Sequence, residues 1–196
     1  MNERVFYEAV RQTYKSPRLT EIDGFRLLKQ SENMVAYGNG TDIVIGVRGM
    51  RMLDPNDYLT DIELAQNKLA DTPKYQQSKR FVNEIFLAYP ESNVFLSGHS
   101  LGGAIATQLK RDFPQIKYVI EFNPAFQPKD IFASPSGILR IYQSKDWIYN
   151  LLQGRLIANR VVDSGVRTPL QAHSLDAFRA MYSPVKDIGD RLGFAE

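Results

Sequence analysis

Apolar residues recur at three- and four-residue spacing in some stretches of this chain and run unbroken in others, and the change of period marks the elements. In residues 2–15, Val5, Phe6, Ala9, Val10 and Tyr14 alternate with charges. This is the pattern of an amphipathic helix, ended near Pro17 because the residue before a proline is pushed out of helical angles. Residues 24–37 read as two short strands, FRLLKQ and NMVAYG, with Ser31-Glu32 near the turn. TDIVIGVRG at 41–49 is a continuous β-branched run, suited to a central strand covered on both faces. A helix is predicted over 72–89, with Thr72 as N-cap and Pro73 at its first position. Tyr75, Phe81, Val82, Ile85, Phe86 and Tyr89 share one face of it, and Pro90 stops it.

Further along, NVFLSG at 93–98 reads as a strand, LGGAIATQLKRDF at 101–113 as a helix, and IKYVIEFN at 116–123 and GILRIYQS at 137–144 as strands. This alternation predicts an α/β fold with a largely parallel central sheet flanked by helices. Residues 156–162 and 166–168, separated by Asp163-Ser164-Gly165, read as a hairpin, and HSLDAFRAMY at 173–182 as a short helix. With no repeat, low-complexity tract or linker, residues 1–196 read as one domain.

Composition narrows the chemistry. The 196 residues are 43% apolar and 23% charged, the balance of a globular protein. The net charge of +2 comes from interleaved signs and does not point to nucleic acid. The absence of cysteine excludes disulfides, thiolate metal sites and a cysteine nucleophile. Two histidines leave no basis for a multi-histidine metal centre. No apolar run approaches the roughly 18 residues of a membrane span, and the N-terminus lacks the apolar stretch of a secretory signal. The default expectation is an intracellular protein, although a processed secreted form would read the same. The sequence carries no signal for oligomeric state.

Between the strand NVFLSG and the next helix lies Gly98-His99-Ser100-Leu101-Gly102-Gly103. G-x-S-x-G between a strand and a helix is the nucleophile elbow of an α/β-hydrolase. Its turn strains the serine backbone, the flanking glycines relieve clashes, and the Leu101 N–H at the helix start faces the same space as the hydroxyl. The plainer alternative is a glycine-rich turn that binds nothing. A serine nucleophile needs a base. His99, beside it in the elbow, points away from the reacting space and is expected to pack, which leaves His173. Without the elbow, His173 would read as a surface histidine at a helix start. In the chain order Ser, Asp, His, four aspartates qualify: Asp112, Asp130, Asp146 and Asp163. Asp112 lies inside a helix, Asp130 in a proline-rich loop and Asp163 in a turn. Asp146 follows a strand by one residue, at the sheet edge that carries Ser100, and is favoured.

These residues resemble the class 3 lipases, the fungal triacylglycerol lipase-like branch of the α/β-hydrolases. GHSLGG is similar to that family's elbow. VIGVRGM at 44–50 resembles its apolar strand ending in Arg-Gly-Thr or Arg-Gly-Ser, and YLTDIEL at 58–64 the aspartate-bearing stretch that follows. Ser144-Lys145-Asp146-Trp147-Ile148 resembles the family's acid followed by a branched apolar residue. The resemblance covers about residues 40–180. It implies a serine carboxylic-ester hydrolase (lipase, esterase or phospholipase) that forms an acyl-enzyme on Ser100, with His173 as base and Asp146 as acid. It places the oxyanion donors at the Met50 and Leu101 amides, makes Asp61 a structural support, and requires no cofactor or metal. Lipid or small esters are the implied substrates, with contact at a lipid surface. Met50 departs from the family's threonine or serine, leaving a backbone donor without a hydroxyl beside it. Asn123-Pro124-Ala125 looks like the family's loop beyond the elbow strand. Phe126, Phe132, Trp147 and Ile148 are candidate pocket linings and equally candidate core. The family's lid would correspond to residues 51–59, a stretch short, charged and broken by Pro55, which implies a minimally covered site. Two alternatives stay open: a catalytically idle hydrolase fold that binds lipid or protein, and an acyltransferase or thioesterase built on the same residues.

Overall fold

The computed structural model describes residues 1–50, 68–125, 136–151 and 160–182. Helix α1 (Glu3–Gln12) starts where the Asn2 side chain accepts a hydrogen bond from the Arg4 N–H. Four strands then form an antiparallel meander: β1 (Glu21–Ile22), β2 (Phe25–Gln30), β3 (Met34–Gly38) and β4 (Asp42–Val47). From β4 onward the sheet is parallel, through β5 (Asn93–His99), β6 (Tyr118–Phe122), β7 (Ile138–Gln143) and β8 (Arg160–Val162). Strand order in the sheet follows chain order from β1 to β8. This is the expected α/β sheet flanked by helices. The two-residue β1 is an addition that the hydrophobic pattern was too short to announce.

Helices α2 (Pro73–Ala88) and α3 (Leu101–Asp112) cover one face of the sheet, and α1 covers the other. The unbroken apolar run of β4 has its reason here. Ile43, Ile45 and Val47 pack with Phe81, Val82, Ile105 and Leu109, while Val44 packs on the opposite face with Val5, Phe6 and Val10. A strand buried on both faces has no polar position to alternate. The start of α2 follows its sequence signals, with the Thr72 hydroxyl accepting from the Tyr75 N–H and Pro73 at the first turn.

Two expectations near the C-terminal end are corrected. The proposed hairpin is absent among the described residues: β8 lies parallel to β7, and residues 163–168 form no strand. Asp163 does close a local turn, its carboxylate accepting from the Gly165 N–H at 2.8 Å, but the chain then runs into helix α5 (Pro169–His173) instead of turning back. The single helix over 173–182 is instead three pieces: α5, a 3₁₀ turn at Leu175–Phe178, and α6 (Arg179–Tyr182). A capping box between Thr168 and Gln171 starts α5 early, and Ser174, extended at ψ 141°, breaks it and caps the next turn. His173 thus ends a helix rather than opening one. The short helix α4 (Trp147–Leu151) follows β7. Residues 51–59, Asp61, Phe126, Asp130, Phe132 and residues 156–159 lie outside the described residues. No helix among the described residues is long and apolar enough to cross a membrane.

Candidate active site

Strand β5 ends at His99, and α3 begins at Leu101, so Ser100 alone makes the turn. Its backbone sits at φ 54°, ψ −126°, a combination a non-glycine residue adopts only when its surroundings force it. Close packing supplies the force. A Cβ at Gly98 would overlap the backbone of Gly102, and one at Gly102 would overlap the carbonyl of Val47. The Ser100 N–H donates to the Phe122 carbonyl, and its own carbonyl accepts from the N–H groups of Gly103 and Ala125, at 2.9 Å each.

His173 comes to this serine from 73 residues downstream, with 3.0 Å between its Nε2 and the Ser100 Oγ. Its Nδ1 lies 2.5 Å from Oδ2 of Asp146. A carboxylate only accepts, so Nδ1 carries the proton and Nε2 is left to accept the serine hydroxyl. Asp146 is held in turn, because Oδ1 takes the Tyr149 N–H at the start of α4 at 3.0 Å. All three side chains are fully buried. The two other candidate aspartates among the described residues are occupied elsewhere: Asp112 accepts from Tyr75, Lys79 and Gln108, and Asp163 from Gly165. Trp147 stacks obliquely on the His173 ring with centroids 5.4 Å apart, and Ile148 lies in the core.

The expected packing role of His99 takes a definite form. Nε2 donates to the His173 carbonyl at 2.7 Å, and Nδ1 lies 3.1 Å from the Tyr14 hydroxyl. Burial above all, then the neighbouring His173, pulls the His99 pKa down to about 3, so the ring is neutral. Asn123, a residue at φ 43° just past the end of β6, steadies the same segment: its amide donates to the Ala172 carbonyl at 2.7 Å and accepts from the Gln143 N–H at 2.8 Å.

In the segment expected to supply an oxyanion donor, Gly49 lies against the serine. A Cβ built on it would be 3.2 Å from the Cβ of Ser100 and 2.7 Å from the His99 carbonyl oxygen. Its N–H donates to the Tyr14 hydroxyl at 2.9 Å, and its carbonyl accepts from Lys74 Nζ at 2.7 Å. Burial, then the charge of Arg48, brings the Lys74 ammonium down to about 8. Burial raises the Tyr14 phenol to about 12. Leu101 opens α3, where the first N–H groups of a helix have no partner within it. Met50, half-buried, packs against the core under α2 and α3. Among the described residues, no three His, Asp or Glu side chains gather as metal ligands would. Tyr14 and Lys74 escaped the sequence reading as members of the site, and Asn123 was read only as part of a loop beyond the elbow strand. Tyr14 and Lys74 arrive from different elements, and nothing in the local pattern of either marks it as part of a site.

Several known proteins share this architecture. The family described as "Serine aminopeptidase, S33" matches residues 57–178, more than half of the chain, a stretch that contains Ser100, Asp146 and His173. The native Rhizomucor miehei lipase in its propeptide complex is similar with a TM-score of 0.51 at 16% identity, over 76% of this chain and 62% of that one. A deletion mutant of the same complex gives a TM-score of 0.51 at 14% identity, over 90% of this chain and 74% of that one. The metagenomic α/β hydrolase MGS-MChE2, from sediments of the lagoon of Mar Chica in Morocco, covers 86% of this chain and 100% of its own at 16% identity, with a TM-score of 0.48. This chain thus spans less than two thirds of the native fungal lipase. No curated protein matches it. The matched family is not the class 3 lipase family that the motifs resemble; the two readings share the α/β-hydrolase fold. The chain belongs to the serine aminopeptidase S33 family, hydrolases on the α/β-hydrolase fold.

Proposed function

We propose that this chain is a serine carboxylic-ester hydrolase that works through an acyl-enzyme on Ser100. The observation that carries the reading is the line Ser100 Oγ, His173 Nε2 and Nδ1, Asp146 Oδ2, with its spacings of 3.0 and 2.5 Å. In this reading the Ser100 oxygen attacks the ester carbonyl while its proton passes to His173 Nε2. Asp146 stabilises the imidazolium, and the Leu101 and Met50 amides take the charge on the carbonyl oxygen. His173 then returns the proton to the departing alcohol. Water, deprotonated by the same nitrogen, releases the acid and restores the serine. The fungal lipase likeness and the GHSLGG elbow favour an ester as substrate, either a lipid or a smaller soluble ester, with docking at a lipid surface in the first case.

The test combines a fluorophosphonate probe with a panel of short-chain esters and aminoacyl anilides. The probe is expected on Ser100 by peptide mapping, and not on Ser100→Ala, with ester turnover well above anilide turnover. Refusal of the probe by the folded protein would overturn the reading in favour of an idle hydrolase fold. Anilides turned over faster than esters would replace the ester with an amide substrate.

A further inference from the structure

The peptide between Gly49 and Met50 has a direction that one side chain sets directly and a second sets through the peptide before it. In a trans peptide, the carbonyl and the following N–H point opposite ways, and this bond is trans. Lys74, in the first turn of α2, holds the Gly49 carbonyl at 2.7 Å. The Met50 N–H is therefore turned away from Lys74. Tyr14, just beyond the end of α1, receives the Gly49 N–H at 2.9 Å. Tyr14 packs on the α1 face of the sheet, and Lys74 stands on α2 over the other face. They hold the peptides on either side of the Gly49 Cα, Tyr14 the Arg48–Gly49 peptide and Lys74 the Gly49–Met50 peptide, and this residue lies against Ser100, with a Gly49 Cβ position only 3.2 Å from the serine Cβ.

The hydroxyl of Tyr14 has a second partner. A carbonyl only accepts, so the His99 proton sits on Nε2, facing His173, and Nδ1 accepts from Tyr14. Donation therefore runs one way: Gly49 N–H to Tyr14, Tyr14 to His99, His99 to the His173 carbonyl. The residue that precedes the oxyanion amide and the backbone of the base share one hydrogen-bond chain. Methionine at position 50 brings no hydroxyl to fix that peptide, so the task falls to these neighbours.

We propose that Lys74 and Tyr14 are positioning residues: Lys74 holds the Gly49–Met50 peptide and Tyr14 the peptide before it, so that the Met50 N–H faces the carbonyl oxygen of the substrate. The proposal rests on the oxyanion role given to that amide in the ester-hydrolase reading. Neither residue touches the reacting atoms. Each acts by removing the freedom of a peptide to rotate, and a preorganised donor costs no reorganisation when charge develops.

The experiment compares Lys74→Met, Lys74→Arg and Tyr14→Phe with the wild type in two measurements. The first is short-ester kinetics, with active sites titrated by a fluorophosphonate. Losing the aim of one oxyanion donor should lower kcat per titrated site about 10- to 100-fold, short of the full loss of a donor. KM should stay within about threefold, because the charged oxygen exists only beyond the ground state. Lys74→Arg keeps a carbonyl-directed donor and should recover most of the loss. The second is amide exchange at Gly49 and Met50, expected to quicken about tenfold or more in Lys74→Met and Tyr14→Phe, since both amides lose their fixed setting. A kcat for Lys74→Met and Tyr14→Phe within twofold of wild type, or a fall that tracks only the titrated fraction, overturns the proposal. Absence of ester turnover in the wild type would overturn the ester reading, and exchange at Gly49 and Met50 would then decide the clamp by itself.

Discussion

Asp146 does two things with its two oxygens, and separating them makes its role testable. Oδ1 caps α4 through the Tyr149 N–H, and Oδ2 holds the proton side of His173. Asparagine can keep the first contact, but its NH₂ cannot accept the Nδ1 proton, so the imidazole is left in the wrong tautomer. Asp146→Asn should therefore cut ester kcat/KM on the order of a thousandfold or more while the thermal midpoint stays near wild type. Asp163→Asn should leave kcat/KM within about twofold, because asparagine closes the same turn on Gly165. Ser100→Ala and His173→Ala should each abolish ester hydrolysis, and the double variant should lose little more, since the two act as a unit. His99 makes a prediction about acid. Its folded pKa lies near 3, below the ordinary 6.5, so the unfolded chain takes up a proton that the fold refuses. The stability this neutral ring contributes is complete above about pH 6.5 and is lost progressively as pH falls toward 3. The urea midpoint should drop between pH 7 and pH 4, and His99→Gln, with no proton to gain, should drop less steeply.

At the scale of elements, the seat of α1 on the sheet depends on one missing side chain. A Cβ at Gly46 would overlap the backbone carbonyl of Ala9, and main chain cannot swing aside as a flexible side chain can. Gly46→Ala should destabilise by about 1–3 kcal/mol through overpacking, read as a lower urea midpoint at unchanged m-value. The elements themselves were legible where pattern and punctuation agreed. Thr72-Pro73 and the apolar face after it specify α2, and the β-branched run of 42–47 specifies β4. They were misread where local chemistry fits two structures. Asp163-Ser164-Gly165 makes a real turn, but whether a turn joins paired strands depends on β7, which takes β8 in parallel. Likewise the periodicity of 173–182 suits a helix, and only the break at Ser174 places His173 at an end where its ring reaches Ser100.

Over the whole molecule, the first helix is tied to the last strand of the sheet. Arg160 on β8 donates to both carboxylate oxygens of Glu3, at 2.8 and 2.7 Å, across 157 residues of sequence, and Tyr182 adds a third donor at 3.1 Å. The Arg160 bond holds the Glu3 carboxyl below its ordinary 4.5, so this contribution is present above that pH and fades as pH falls through the lowered value. The side chains are 40% and 33% exposed, Arg160 and Glu3 respectively, and solvent screens the pair. Glu3→Gln should cost at most about 1 kcal/mol at pH 7, with a smaller difference in high salt, as measured by urea unfolding.

What the sequence by itself determined is local. Residues 98–103 carry the elbow because the strand, the tight turn and the small residues that permit it are contiguous, and their sterics act over a few bonds. The pairing of Ser100 with His173 was legible for another reason: with two histidines in the chain and one spent inside the elbow, composition left a single base. Asp146 was favoured among four because its strand end put it at the right edge, and the structure brings it onto His173. The tertiary structure alone decided the support of the site. Tyr14 meets Gly49 across 35 residues, Lys74 meets it across 25, and His99 reaches the His173 carbonyl across 74. A hydrogen bond is satisfied within about 3 Å and is indifferent to the length of chain between its partners. The period that includes Tyr14 and the motif that includes His99 therefore say nothing of these partners, and the contacts exist only once the sheet has stacked its helices on both faces.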